Sequence, residues 1–270
     1  MGWLEDILCE EPHEVRDGIP VFLGEISPKG KSFDYISHYT TDAEEFDYFS
    51  EETDRLTATH LRLLRSSVMR MVPDSTSLML DVGCGSAFVA GHFCPRGVKV
   101  VSMDIAFANA RKAYAKYPVD NHAVVVADAY HLPFPDQTFD CIIASEIIEH
   151  TVDPQAFVAS LLSKLKPGGT LVVSTPYKEQ IVYSLCIHCN CKTPHNAHLH
   201  SFDKEKMRRI VEPLPADIAK IRLVGNKLLL RSHLTMLLFH LGLTVWRVVD
   251  GLFNRLFPKT EHFIIVIKKK

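Results

Sequence analysis

The chain has 270 residues, of which 30 are basic and 32 are acidic, and 47% are hydrophobic. This composition excludes an intrinsically disordered protein, because disorder requires low hydrophobicity and a high net charge. The net charge of −2 also argues against a nucleic-acid-binding surface, which normally carries a basic excess. The length favours one domain with additions over two domains.

The N-terminus and the cysteines indicate the cellular compartment. Residues 1–17 are acidic and lack the basic start and apolar centre of a secretory signal. The seven cysteines are an odd number, and three of them, Cys186, Cys189 and Cys191, lie close together in the chain. Reduced thiols or metal ligands explain this pattern better than disulfides do. We therefore expect a cytoplasmic protein.

Residues 1–52 are predicted to form an N-terminal lid segment in front of one α/β domain, residues 53–270. The lid segment is acidic and rich in turns, with one short strand at residues 19–23. A helix then begins at Thr53 and ends before Pro73, because its apolar residues recur at helical spacing.

From Leu78 onwards the pattern alternates between strands and helices. Strands are predicted at residues 78–82, 98–105, 122–128, 139–145 and 170–174, and helices at residues 86–93, 106–116 and 154–166. Several of these strands are continuous apolar runs, as expected for strands that are buried on both faces. Strand–helix alternation of this kind gives a doubly wound parallel sheet.

The C-terminal part contains a Cys/His-rich insert, residues 178–200, and a long apolar helix, residues 228–257. A helix at residues 203–211 and strands at residues 218–224 and 263–267 complete the predicted elements. The apolar helix carries polar residues seven positions apart, at His233, His240, Arg247 and Asn254. Such a helix is typical of a core element, of a homodimer interface, or of a surface helix that contacts a membrane or a lipid-like acceptor. Its apolar run is too short for the roughly 20 residues that a membrane span needs.

A glycine loop follows the first long strand, at Gly83-Cys84-Gly85. Glycines at this position let the backbone approach a ligand, and the next helix presents free N–H groups there. Asp104 ends the second strand, where a carboxylate can accept both hydroxyl groups of a ribose. Asp128 ends the third strand, where it can accept an adenine amino group.

Asp81 distinguishes between two classes of ligand. A carboxylate two residues before the first glycine would repel a pyrophosphate, but it suits an ammonium group. A dinucleotide-binding loop would also need a third glycine at the position of Phe88. The loop therefore favours a ligand made of adenosine and an amino acid.

The ordered motifs of residues 55–225 resemble those of class I S-adenosylmethionine-dependent methyltransferases. This resemblance implies a seven-stranded sheet with an antiparallel last strand at residues 263–267. It also implies that Asp81 and the two loop glycines line the methionine end of the cofactor, with Asp104 at the ribose. Many members have glycine where this chain has Ala87. The predicted cofactor contacts are Tyr39, Asp81, Gly83, Cys84, Gly85, Asp104, Ile105, Asp128, Ala129 and Ser145.

Glu146, Glu149 and His150 follow the fourth strand at the edge of the sheet where an acceptor should bind. Residues at these spacings share a helical face, and their side chains suit Mg²⁺, Mn²⁺ or Zn²⁺. The motif resembles that of ubiquinone-biosynthesis O-methyltransferases and small-RNA 2′-O-methyltransferases, which pair it with a downstream histidine, here His200. Alternatively, His150 and Glu149 act on the acceptor without a metal, with His150 as its base or positioning group, or His150 only caps or packs.

The insert predicts a second metal site. Cys186 and Cys189, together with two of Cys191, His195 and His198, fit tetrahedral zinc, which would stabilise a loop with few apolar residues. The alternative is a set of reduced thiols and solvent-exposed histidines.

Two flanking features complete the prediction. Residues 14–23 resemble the tail of a small zinc-ribbon-like module that often precedes or partners methyltransferases. The aromatic residues at 33–49 resemble the segment that covers the cofactor in relatives, with Tyr39 as its contact.

The predicted function is methyl transfer from S-adenosylmethionine to a small or lipid-like acceptor, preferentially to oxygen. Two alternatives remain open: a nucleotide-dependent oxidoreductase, and a non-catalytic partner subunit that binds the cofactor.

Overall fold

A computed structural model describes residues 2–24, 33–232 and 234–270, without the side chains of residues 234, 236, 237 and 239. The strands are β1 (Glu14–Arg16), β2 (Ile19–Val21), β3 (Leu78–Val82), β4 (Lys99–Asp104), β5 (His122–Val126), β6 (Phe139–Ser145), β7 (Leu165–Pro176), β8 (Tyr183–Leu185), β9 (Lys192–Pro194), β10 (Ala216–Asn226) and β11 (Thr260–Lys269). The helices are α1 (Gly2–Glu5), α2 (Tyr35–Glu45), α3 (Arg55–Met69), α4 (Phe88–Phe93), α5 (Phe107–Lys116), α6 (Pro154–Lys164), α7 (Lys204–Val211), α8 (Lys227–Leu230), α9 (Leu234–Leu241) and α10 (Leu243–Leu256).

The main sheet has nine strands, in the order β1-β2-β5-β4-β3-β6-β7-β11-β10. Strands β3 to β7 pair in parallel, whereas β11 lies antiparallel to both of its neighbours, β7 and β10. The predicted parallel sheet and its antiparallel last strand are therefore confirmed. The predicted number of seven strands is too low, because the N-terminal segment adds the pair β1 and β2.

The β1–β2 hairpin extends the sheet beyond β5. Its turn is an Asp-Gly pair, and Asp17 and Gly18 have φ values of +50° and +78°, as two-residue hairpin turns require. Beyond β2, the backbone N–H of Phe22 donates to the carbonyl oxygen of Val126 at 2.8 Å. Ile19 and Phe22 are buried, and each such side chain contributes about 1.5–3 kcal/mol of hydrophobic stabilisation. The hairpin thus covers an edge of the sheet that would otherwise expose unpaired backbone groups.

Helices cover both faces of the sheet, because side chains of its strands alternate between two cores. In β6, Ile142 and Ala144 belong to the core that contains residues of α6 and α7, whereas Cys141 and Ile143 belong to the core under α3, α4 and α5. All four side chains are fully buried. This arrangement is the predicted doubly wound α/β architecture.

Helix α2 lies in the part of the lid segment that was expected to form only turns. The Asp34 side chain caps it by accepting a hydrogen bond from the backbone N–H of Ser37 at 3.1 Å. The sequence of this helix lacks a continuous apolar stripe, and only Tyr35 and Ala43 are buried.

The described residues between 227 and 256 include three helices, α8, α9 and α10, and not the single long helix that was predicted for residues 228–257. Helix α9 ends at Leu241, and Gly242 follows with φ of +89°, which interrupts the α-helical hydrogen-bond pattern before α10 begins. His233, the first residue of the predicted polar stripe, lies outside the described residues. No helix in the described part of the chain combines the length and the apolar character that a membrane crossing needs.

Candidate active site

The glycine loop connects β3 to α4. Gly83 and Gly85 have φ values of +66° and +45°. A Cβ atom on Gly83 would lie 2.2 Å from Cδ1 of Ile147, so the close approach of these segments requires glycine. Ala87 is the N-cap of α4 and also has a left-handed φ of +54°, which costs about 1–2 kcal/mol in a residue with a Cβ atom.

Asp104 connects the end of β4 to the glycine loop. Its Oδ2 accepts the backbone N–H of Gly85 at 3.2 Å, and its Oδ1 accepts that of Ala106 at 2.9 Å. Burial raises the pKa of the Asp104 carboxyl group. The structure therefore brings together Asp104 and the loop, as the spacing predicted, with Ile105 half-buried beside them.

Asp128 lies at the end of β5 beneath the lid segment. The Tyr35 hydroxyl donates to its Oδ2 at 2.6 Å, and the backbone N–H of Tyr130 donates to its Oδ1 at 3.0 Å. Ala129 is half-buried, and its carbonyl oxygen accepts a hydrogen bond from Ser160. The sequence prediction missed Tyr35, although it belongs to the aromatic run that had indicated a lid.

Asp81 is buried at the end of β3, and its Oδ2 has no hydrogen-bond partner among the described residues. Burial, together with the nearby Asp104 carboxylate, raises the pKa of Asp81 to about 8. Cys84 is also buried, and its backbone N–H donates to the carbonyl oxygen of Met103. An unpaired buried carboxyl oxygen of this kind can accept a ligand ammonium group.

Ser145 and Glu146 lie at the end of β6 and interact with neighbouring strands. The Ser145 and Ser174 hydroxyl groups are hydrogen-bonded at 2.9 Å, and Ser174 also donates to Oε1 of Glu146. Oε2 of Glu146 lies 3.0 Å from Nε2 of His262, which is in β11. Glu146 has a φ of +58°, and the next helical turn covers only Ile148–His150. The prediction that Glu146 shares a helical face with Glu149 and His150 is therefore wrong.

A three-residue cluster combines the last two residues of this turn with His198. One ligand atom each from Glu149, His150 and His198 falls within 4.8 Å of the others. Oε2 of Glu149 accepts a hydrogen bond from the Thr175 hydroxyl at 2.9 Å, and the Tyr39 ring packs edge-on against His150, with centroids 5.6 Å apart. Oε1 of Glu149 and Nδ1 of His150 are buried without a described partner.

Burial controls the protonation of this cluster. It raises the pKa of Glu149 well above its ordinary value, and the neighbouring Glu146 carboxylate raises it further. Burial also lowers the pKa of His150 to about 4, with a second contribution from His198. Near neutral pH the His150 imidazole of the unliganded cluster is therefore neutral, and burial favours the protonated form of the neighbouring Glu149 carboxyl group.

His200 does not join the cluster to which it was assigned. Its backbone N–H donates to the carbonyl oxygen of Glu149 at 3.2 Å, but its Nε2 is buried without a described partner. His198 takes the predicted place of His200, since the preceding turn at residues 195–197 directs it toward His150, with ring centroids 4.8 Å apart.

The predicted zinc ligands are only partly brought together. Cys186, Cys189 and Cys191 lie on the hairpin formed by β8 and β9. His195 instead pairs with the Ser184 hydroxyl, and Nδ1 of His198 lies 2.6 Å from Oε2 of Glu179. Within the described residues, the cluster of Glu149, His150 and His198 is the only group of three such ligands within 4.8 Å.

The sequence and the fold of this chain are similar to those of known proteins. Residues 80–173 match the family model described as a methyltransferase domain. Residues 80–173 therefore carry a methyltransferase domain. The matched residues include the glycine loop, Asp104, Asp128 and the Glu149–His150 turn.

Curated relatives of this methyltransferase domain include the ubiquinone biosynthesis O-methyltransferase of Bradyrhizobium sp. That protein is 32% identical over 114 residues, which are 40% of this chain and 44% of the relative. The chain thus spans less than half the length of the curated relatives it matches.

Solved structures share the fold of this methyltransferase domain. A SAM-dependent methyltransferase from Aquifex aeolicus superposes with a TM-score of 0.56 and 16% identity, over 86% of this chain and 98% of the other. The [4+2]-cyclase SpnF superposes with a TM-score of 0.54 and 18% identity, over 94% of this chain and 99% of the other. Because one of these proteins is named a cyclase, the shared fold alone does not assign a function, which depends on the residues of the site.

Proposed function

We propose that this chain transfers a methyl group from S-adenosylmethionine to an oxygen atom of a small or lipid-like acceptor. The observation that carries the proposal is the neutral His150, half-buried and with its Nδ1 atom buried, beside Glu149 on the same sheet edge as the three carboxylates assigned to the cofactor. The names of the curated relatives support O-methylation.

The cofactor would bind across the ends of β3, β4 and β5. In this proposal, Asp81 pairs with the ammonium group of the methionine part, and Asp104 accepts the ribose hydroxyl groups. Asp128 and Ala129 meet the adenine, under the lid residue Tyr35. In this assignment the ligand supplies a cation to Asp81, whose Oδ2 has no partner among the described residues. It supplies further hydrogen-bond donors to Asp104 and Asp128.

The acceptor oxygen would bond to the methyl carbon while the bond between that carbon and sulfur breaks, which leaves S-adenosylhomocysteine. His150 would take the proton that the acceptor hydroxyl group loses. An imidazole with a pKa of about 4 is neutral near pH 7, and its unpartnered Nδ1 can accept a hydrogen bond. Tyr39 packs against the ring and holds its plane, while Glu149 is fixed by Thr175. The protein then contributes mainly orientation of the acceptor in line with the methyl group, and exclusion of water.

The same cluster also fits a divalent cation. Two of its ligand atoms, Oε1 of Glu149 and Nδ1 of His150, are buried and unpartnered, and a carboxylate with two imidazoles is a suitable donor set. Glu149, His150 and His198 would hold the ion, which would lower the pKa of a bound acceptor hydroxyl group.

The three cysteines of the β8–β9 hairpin remain a second candidate metal site. His195 and His198 no longer belong to it, because they contact Ser184 and Glu179. Backbone N–H groups of Cys189 and His188 lower the pKa of the Cys186 thiol. The turn is closed by the Asn190 N–H, which donates to the Cys186 carbonyl oxygen at 2.9 Å, and Asn190 has a φ of +56°. We propose that Cys186 binds zinc here together with Cys189 and Cys191, since a thiolate that N–H donors favour, as at Cys186, is a good zinc ligand.

Elemental analysis of purified protein separates the two metal sites. We expect zinc to be lost in the Cys186→Ser/Cys189→Ser variant, whose thiol ligands are removed, but kept in His198→Ala. Loss in His198→Ala alone would instead assign the metal to the Glu149 cluster. Protein without bound metal, purified in the absence of chelators, would contradict both sites.

Titration calorimetry and a transfer assay test the proposed function. We expect S-adenosylhomocysteine to bind and NAD not to bind, because Asp81 can ionise to pair with an ammonium group but offers no positive charge to a pyrophosphate. Labelled methyl should move from S-adenosylmethionine to phenols, with better acceptors among those that carry longer alkyl chains. Tighter binding of NAD would favour the oxidoreductase, and cofactor binding without transfer to any acceptor would favour the non-catalytic subunit.

A further inference from the structure

Helix α10 exposes an apolar face to solvent. The exposed fractions are 41% for Val245, 69% for Val248, 55% for Leu252 and 62% for Leu256. Because these residues are three or four positions apart, they form one continuous line along the helix, termed here the outer stripe. Leu241, just before α10, is also exposed.

Polar contacts on the opposite face fix the rotation of α10. The Asp250 carboxylate accepts the backbone N–H groups of Gly225 at 3.0 Å and Asn226 at 2.7 Å. Oδ1 of Asn254 accepts hydrogen bonds from Asn226 and Thr260, at 3.1 Å and 2.8 Å. Rotating the helix to bury the outer stripe would leave these buried polar groups unpaired, which is costly. The apolar side chains are therefore held outward by the structure.

The segment of the chain that carries the outer stripe is basic. Residues 227–259 contain one acidic residue, the buried Asp250, and five basic residues: Lys227, Arg231, Arg247, Arg255 and Lys259. Burial, together with the guanidinium groups of Arg70 and Arg222, lowers the pKa of Arg247, so these three arginines lie close enough to repel one another. Among the described residues, none of the three forms an ion pair within 4.0 Å.

We propose that the outer stripe and its arginines form a docking surface for an anionic lipid bilayer. An apolar helix face flanked by basic residues matches a bilayer interface, in which acyl chains meet the stripe and phosphates meet the arginines. A second copy of the chain fits less well, because stripe-to-stripe pairing would bring two basic segments together. The surface does not depend on the proposed methyl transfer, although it would bring the protein to lipid-like acceptors.

Co-sedimentation of the full chain with vesicles tests this surface. We expect binding to phosphatidylcholine vesicles that contain phosphatidylglycerol, at least about tenfold stronger than to phosphatidylcholine alone, and weakened by salt. Val248→Asp/Leu252→Asp should reduce the binding by at least about tenfold, because charge on the stripe opposes insertion. Val119→Asp is the matched control, since Val119 is exposed in a loop before β5, and it should bind as the wild type does.

Three outcomes would overturn the docking surface. The first is no binding of the wild type to the anionic vesicles. The second is equal vesicle binding by the wild type and the double variant, with S-adenosylhomocysteine titration showing that both are folded. The third is a wild-type dimer in light scattering that the double variant converts to a monomer, without vesicle binding, which would assign the stripe to a second copy.

Discussion

Replacing His150 with glutamine is expected to lower kcat for methyl transfer to a phenolic acceptor by about 10²–10⁴-fold. Glutamine keeps a polar side chain that can form hydrogen bonds in the pocket, but it cannot take a proton from the acceptor. The affinity for S-adenosylhomocysteine should stay within about twofold of the wild type, because His150 lies beyond the three cofactor carboxylates. Steady-state kinetics and titration calorimetry measure the two quantities separately.

His92→Gln is a matched control for this prediction. His92 lies in α4, where its ring contacts Phe93, and it belongs to no part of the Glu149 cluster. His92→Gln should have the kcat of the wild type, and the melting temperatures of His92→Gln and His150→Gln should be similar. If kcat of His150→Gln fell no further than that of the control, proton transfer to His150 would play no part in the reaction.

The positions of the three carboxylates proposed to bind the cofactor could be predicted from the sequence, because each residue lies at the end of a buried strand. The positions of Asp81, Asp104 and Asp128 follow from where β3, β4 and β5 end, and parallel strands bring those ends to one edge. Only local patterns are needed for this step, namely an apolar run, a glycine loop and an acid. Tyr35 was missed because α2 has no apolar stripe and is held by its Asp34 cap and the bond to Asp128.

The arrangement of the residues near the proposed acceptor depends on contacts between distant parts of the chain, which local sequence patterns do not contain. Glu146 turns away from Glu149 because its left-handed backbone directs it to Ser174 and to His262 in β11. His198 rather than His200 reaches the cluster because of the irregular turn at residues 195–197. Neither the turn nor the partner strand is visible in the local spacing, so the sequence indicates which carboxylate and imidazole groups follow β6 but not which of them come together.

Asp81 is expected to make cofactor binding depend on pH. Burial and the Asp104 carboxylate raise its pKa to about 8, so the unliganded protein holds a proton there at neutral pH. A ligand ammonium group favours the ionised carboxylate, and binding must therefore release that proton. The affinity for S-adenosylhomocysteine should rise from about pH 6 to about pH 8, by up to tenfold per pH unit, and then level off.

Asp81→Asn should remove this dependence and weaken binding by about 100-fold, because the ammonium group loses its only charged partner at that position. Calorimetry in buffers of different ionisation enthalpy measures the proton directly: release at pH 7 is expected for the wild type and none for the variant. Asp153→Asn is a suitable control, because the Asp153 side chain caps α6 and asparagine caps helices about equally well. This variant should keep the pH profile of the wild type. An unchanged affinity in Asp81→Asn would mean that this carboxylate does not meet a cationic amine, and the preference for a sulfonium cofactor over a pyrophosphate would lose its physical basis.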